Sequence, residues 1–231
     1  MKLMSRFRTI VPKGFLLPFI TGSILTGVVV TAAYFAMNSG TGIGYHGRGV
    51  TVKWLPSTVT RWNDIIIEQG KRYNVDPDFI AILMTLESGG YTQADSGFAM
   101  GLMQITPSTA DDIAKKHLLA KRDHFSIKDP ATNIEFGTAY IAYLRDTFCG
   151  NDFAPRHDYC AELVAAGYNG GPGAANMLYK GQGLKAIETL GYSRDAMNLW
   201  RERAASESPT FVRWKDRGGQ DLIEKAEAEK L

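Results

Sequence analysis

Val75-Asp76-Pro77-Asp78-Phe79-Ile80-Ala81-Ile82-Leu83-Met84-Thr85-Leu86-Glu87-Ser88-Gly89-Gly90 reads as a helix with both of its ends marked. Asp76 is placed to cap, Pro77 suits the first helical position, and Val75 can staple onto Ile80. Gly89-Gly90 supplies the stop. Ile80, Leu83 and Met84 stand seven, four and three positions before Glu87, so the carboxylate emerges on the apolar face of the helix. Glu87 also falls in the last turn, where unsatisfied carbonyls make the local field negative. Both effects disfavour the ionised form and raise the pKa. A carboxylic acid in that condition holds a proton near neutral pH and can give it to a leaving oxygen. Periodicity alone equally allows a glutamate that turns to solvent at a frayed helix end.

Working outward, the same start recurs at Asp129-Pro130, opening a helix whose face is Ile134, Gly137, Ile141, Leu144 and Phe148. Thr106-Pro107 opens a shorter one, to about His117. Upstream, Val59, Trp62, Ile66 and Tyr73 follow the helical period and predict one buried stripe. Tyr159–Ala166 and Ser193–Ala205 also read as helical. No run alternates long enough for a strand, so the fold class is mainly α. The end of the chain, 206–231, reads as a charged tail with little apolar stripe, solvated or without fixed structure.

The whole chain has 231 residues, 45% hydrophobic and 22% charged, which suits one packed domain plus an appendage. Its net charge of +2 is unevenly spread. No acidic residue precedes Asp64, while Lys2, Arg6, Arg8, Lys13, Arg48, Lys53 and Arg61 do. From Asp64 onward 19 basic residues face 24 acidic ones. A net-acidic body argues against nucleic acid as a partner.

Residues 1–14 form a basic flank, and the uncharged run 15–37 is long enough to cross a hydrocarbon core of ~30 Å as a helix. The flank should stay cytoplasmic, placing everything after Met37 outside the membrane. A cleaved signal peptide is the competing reading, although a signal core is usually shorter, ~7–15 residues. Residues 38–56 begin with many glycines and read as a flexible spacer to a domain over 57–205. Cys149 and Cys160 lie on the exported side, where a local pair can close a disulfide contributing roughly 3 kcal/mol. Two unpaired small core residues are the alternative. The four histidines (His46, His117, His124, His157) show neither the spacing nor the cysteine partners of a zinc site, so no metal is expected.

Three blocks then carry a resemblance. Glu87-Ser88-Gly89-Gly90, Ser96, and Gly101-Leu102-Met103-Gln104-Ile105-Thr106-Pro107 with Thr109-Ala110 form the first. Asp129 to Leu144 (DPATNIEFGTAYIAYL) forms the second, and Ala165 to Gly173 (AAGYNGGPG) the third. In this order the chain resembles the lytic transglycosylases of the soluble-type (SLT) family over roughly 57–205. The resemblance implies a lysozyme-like helical domain that cleaves peptidoglycan glycan strands without a cofactor. It implies Glu87 as the single catalytic acid/base, with Ser96 near it in the cleft. Met103 and Gln104 would line the sugar groove, and Tyr168 and Asn169 the opposite wall. These residue types suit a saccharide, whose hydroxyl and acetamido groups want Ser, Gln and Asn and whose flat faces suit Tyr and Met. Core filler is the other reading of Met103, and packing that of Tyr168. Two departures stand out. The loop after Ser96 is a residue shorter than usual, and Gly167 and Gly170 stand where alanines are commoner.

Two rivals follow from the same residues. A hydrolase of the goose-type lysozyme kind would need a second carboxylate to activate water, and Asp95 is the best placed by sequence. A non-catalytic scaffold would hold glycan without cutting it. With an anchor in the inner membrane and the domain in the periplasm, the chain is also suited to opening the wall locally for a secretion or other envelope-spanning complex.

Overall fold

The computed structural model describes residues 43–116, 125–149 and 157–230. The chain divides into two units, Met1–Ser39 and Gly40–Leu231. The expected membrane anchor at 15–37 lies outside the described residues, and among those described no helix is long and apolar enough to cross a membrane.

Nine α-helices carry the described fold. They are α1 (Ser57–Thr60), α2 (Asn63–Tyr73), α3 (Pro77–Ser88), α4 (Pro107–Lys116), α5 (Pro130–Phe148), α6 (His157–Tyr179), α7 (Ile187–Glu202), α8 (Pro209–Trp214) and α9 (Gln220–Glu227), with a π-helical turn at Lys215–Gly219 before α9. Among the described residues β pairing is limited to isolated bridges, Asp95 with Met100 and Met100 with Ile105. The architecture is mainly α, as the periodicities require.

α3 is the hub. Phe79 through Thr85 are buried without a break, so the helix is apolar on every side and must be enclosed rather than laid on a surface. It packs against α1, α2 and α7, with Phe79 edge-on to Trp200 of α7 at 5.5 Å. The expected caps form: Asp76 accepts from Asp78 N at 2.8 Å, and Asp129 accepts from Thr132 N at 2.8 Å. α5 is buried almost as completely and supports α6, which in turn packs on α7. The Cys149–Cys160 disulfide is formed, with Cα atoms 5.5 Å apart, and ties the end of α5 to α6.

Three sequence readings are corrected. The spacer 38–56 is not free along its described part: Ile43, Val52, Trp54 and Leu55 are buried, and Asp78 binds Thr51 and Val52. Helix α7 begins at Ile187, not Ser193, and ends at Glu202. The segment 206–231 is not a solvated tail, because Phe211, Trp214, Ile223 and Ala226 are buried. Phe211 packs on Trp54 and stacks on Trp214, at 5.4 and 5.7 Å between ring centroids. Glu229 accepts from Thr92 N at 3.1 Å and Thr92 Oγ1 at 2.6 Å, beyond the end of α3. The apolar stripe was hidden because α8 and α9 are too short to repeat a period and the π turn breaks it between them.

Candidate active site

The site is built where α3 stops. Gly90, at φ 86°, lets the chain turn directly under Thr58, whose carbonyl oxygen would lie 2.2 Å from any Cβ at this position. Ser88, fully buried, donates to the Leu102 carbonyl at 2.7 Å and receives Gly90 N at 3.1 Å. The serine after the glutamate therefore fastens the 101–105 turn to the end of the helix. Asn133 of α5 completes that fastening. Its Oδ1 accepts from Met103 N at 2.7 Å, and its Nδ2 donates to the Met100 and Ile127 carbonyls at 2.8 and 2.7 Å.

Glu87 is half-buried at this junction. The Tyr192 hydroxyl donates to its Oε1 at 2.5 Å. Burial pushes the Glu87 carboxyl up to about 7; the Tyr192 hydrogen bond works in the opposite direction, and the nearby Glu188 carboxylate adds to the rise. The residue is thus poised to hold and release a proton near neutrality. Burial and the Glu87 charge together raise Tyr192 and Tyr168 well above the usual phenol range, so both remain neutral donors.

Tyr168 and Asn169 come from α6, just before the break at Gly171 (φ 77°, ψ 169°) and Pro172. Tyr168 donates to the Met103 carbonyl at 2.8 Å, which joins the α6 wall to the 101–105 turn. Asn169 is exposed, and its Oδ1 accepts from Thr189 Oγ1 at 2.8 Å, which orients its amide. Gln104 is half-buried at φ 44° and donates to the Ala94 and Gly101 carbonyls at 3.0 and 3.1 Å.

Met103 differs from its expected placement, and Ser96 and Asp95 make local turn contacts. The Met103 side chain is fully buried beside Gly137, where a Cβ would meet it at 2.7 Å. It belongs to the core and offers no surface to a ligand; its backbone groups are what join the walls. Ser96 is exposed and spends its hydroxyl within its own turn, receiving Ala99 N at 3.1 Å and donating to the Ala99 carbonyl at 3.2 Å. Asp95, also exposed, accepts from Gly97 N at 2.7 Å. Tyr192 is the functional residue that sequence reasoning missed. It lies on α7 immediately before the stretch read as helical, and no local pattern ties it to Glu87, a partner 105 positions away.

The half-buried Glu87 carboxyl, held by the Tyr192 hydroxyl and raised by burial, has the chemistry of a proton donor and acceptor near neutral pH. The family described as the transglycosylase SLT domain matches residues 64–190. The chain belongs to the transglycosylase SLT domain family. Membrane-bound lytic murein transglycosylase E of Buchnera aphidicola subsp. Acyrthosiphon pisum is 40% identical over 101 residues, covering 42% of this chain and 45% of that protein. Membrane-bound lytic murein transglycosylase C of Edwardsiella ictaluri is 30% identical over 176 residues, covering 71% and 48%. A solved structure of an inactive mutant of the lytic transglycosylase Slt from Pseudomonas aeruginosa aligns at a TM-score of 0.48 and 21% identity, over 72% of this chain and 25% of that one. The chain thus matches less than half the length of these curated relatives.

Proposed function

We propose that this protein is a peptidoglycan lytic transglycosylase with Glu87 as its single acid/base. The observation that carries the reading is the raised carboxyl of Glu87 beside Tyr192. With Oε1 occupied by the Tyr192 hydroxyl, the other oxygen carries the proton toward the glycosidic oxygen between N-acetylmuramic acid and N-acetylglucosamine. The substrate's acetamido group stabilises the oxocarbenium-like centre. Glu87, now ionised, takes the proton of the muramoyl C6 hydroxyl as that oxygen attacks C1. The C1–O bond to the leaving sugar breaks, a 1,6-anhydro bond forms, and no water is consumed. Asn169, whose amide oxygen accepts from Thr189, would donate from its Nδ2 to the acetamido or ring substituents. Tyr168 and Gln104 shape the walls, and Ser96 contributes through the turn it forms.

The hydrolase alternative draws no support from Asp95, whose carboxylate is engaged in an exposed turn. The relatives' names describe membrane-bound enzymes, which supports reading 15–37 as a single-pass inner-membrane anchor with the domain in the periplasm. Such an anchor suits local wall opening for an envelope-spanning complex. The test is digestion of purified sacculi by the full chain in detergent, with Glu87→Gln as control. Anhydro-muramoyl products lost in the control support the reading. Reducing-end products would make the protein a hydrolase, and products from both proteins would remove Glu87 from the chemistry.

A further inference from the structure

Tyr168 links the acid/base centre to a second cavity. The Glu87 charge acts on Tyr168, and the Tyr168 ring lies 5.4 Å from that of Tyr140. Tyr140 in turn lines a cavity of about 200 Å³ between α4, α5 and the Gly171–Pro172 break of α6. The walls are unusual in what they leave available. The Tyr140 hydroxyl is turned away, donating to the Gly167 carbonyl at 3.1 Å, so this residue offers its ring. That ring lies nearly parallel to Tyr143, with centroids 6.3 Å apart and 13° between the planes. Burial pushes the Tyr140 phenol up to about 12, keeping it neutral. Ser108 and Thr109 hydroxyls are already bonded to Thr106 Oγ1, at 3.0 and 2.9 Å.

Asp112 is the exception. It lines the same cavity, is exposed, and has no hydrogen-bonding or ionic partner among the described residues. Among the described residues no basic side chain lines the cavity. A carboxylate with no counter-ion among the described residues, in a cavity also lined by two aromatic rings, has the chemistry of a cation site: charge attraction from one side and ring quadrupoles from the other. A neutral sugar ring would instead want several hydroxyl or amide partners, and here only Thr109, which accepts from Thr106 Oγ1, keeps a hydroxyl proton to donate.

We propose that this cavity is a subsite for a primary ammonium group carried on the peptide portion of the substrate, with Asp112 as counter-ion and Tyr140 and Tyr143 as walls. The proposal deepens the peptidoglycan reading and rests on it for the identity of the substrate. The site would thereby favour strands whose peptides keep a free amine over strands in which that amine is cross-linked or acylated.

Binding tests this without relying on turnover. Peptide-bearing glycan fragments, with free amines or after N-acetylation, are titrated calorimetrically at pH 7 into the full chain carrying Glu87→Gln. Acetylation should weaken binding roughly tenfold. Adding Asp112→Asn should make the two fragments bind alike, with circular dichroism confirming an intact fold. Equal binding of both fragments to the Glu87→Gln chain overturns the ammonium subsite. So does a difference that survives Asp112→Asn, because the cation then sits elsewhere. Failure of the wild-type chain to cut sacculi counts against the catalytic reading alone, and the binding comparison stays legible.

Discussion

Asp78 and Glu87 sit at opposite ends of α3, both withdrawn from solvent, and they have opposite surroundings. Asp78 lies in the first turn, where the helix field favours negative charge. Its carboxylate receives Thr51 N and Thr51 Oγ1 at 2.6 Å each and Val52 N at 3.3 Å. Glu87 lies in the last turn, receives the Tyr192 hydroxyl, and has the Glu188 carboxylate nearby. Burial is common to the two. The supply of donors and the end of the helix decide that one ties the 43–56 segment to the core while the other keeps a proton to about pH 7.

The largest expected effect tests the reactive end. Glu87→Gln should lower kcat by about three orders of magnitude, within the range a general acid supplies. The same change should stabilise the fold at high pH. The folded chain releases the Glu87 proton near 7 and an unperturbed glutamate near 4.5, so wild-type stability is full below 4.5 and declines as the pH rises to 7. The decline amounts to up to about 3 kcal/mol. Melting curves from pH 4 to 8 should show it in the wild type and not in the glutamine variant; parallel curves would mean that the folded environment does not raise the acid.

Asp78→Asn tests the structural end. It withdraws charge and acceptor capacity from three donors and should cost about 2 kcal/mol in denaturant unfolding, with kcat held within about twofold. A loss of turnover comparable to that of Glu87→Gln would erase the contrast between the two ends. Tyr192→Phe sharpens it: kcat should fall about tenfold, and the alkaline limb of kcat/KM should move to higher pH. The sign follows because the lost hydrogen bond favours the ionised form, so the acid holds its proton longer without it. The smallest effect belongs to Asp95→Asn, at most about 0.5 kcal/mol in stability and little in rate. A collapse of activity there, with reducing-end products in the wild type, would favour the hydrolase.

Legibility along the chain tracks how local the determining contacts are. α3 and α5 were readable because Asp76-Pro77 and Asp129-Pro130 cap within a few residues, and Glu87 was readable because its apolar neighbours belong to its own helix. Tyr192 was not, since its role comes from packing α7 against α3. The residues 206–230 misled for a related reason. Each of α8 and α9 contributes only a few buried side chains, such as Trp214 and Ile223, and no periodicity announces them. Met103 shows the limit of motif reading: the residue type is the one expected, but its side chain fills the core.

By itself the sequence determined where the main helices begin, that an acidic side chain would stand on an apolar face at a helix end, and that two cysteines were close enough to pair. Those outcomes depend on capping, helical period and short loop closure, all local quantities. Only the tertiary structure decided which donor reaches Glu87, which of the matching residues face the cleft, and that the ends of the domain, 43–56 and 206–230, fold onto its core. These depend on surfaces brought together from distant parts of the chain, where burial and hydrogen bonding act without leaving a repeat or a spacing to be read.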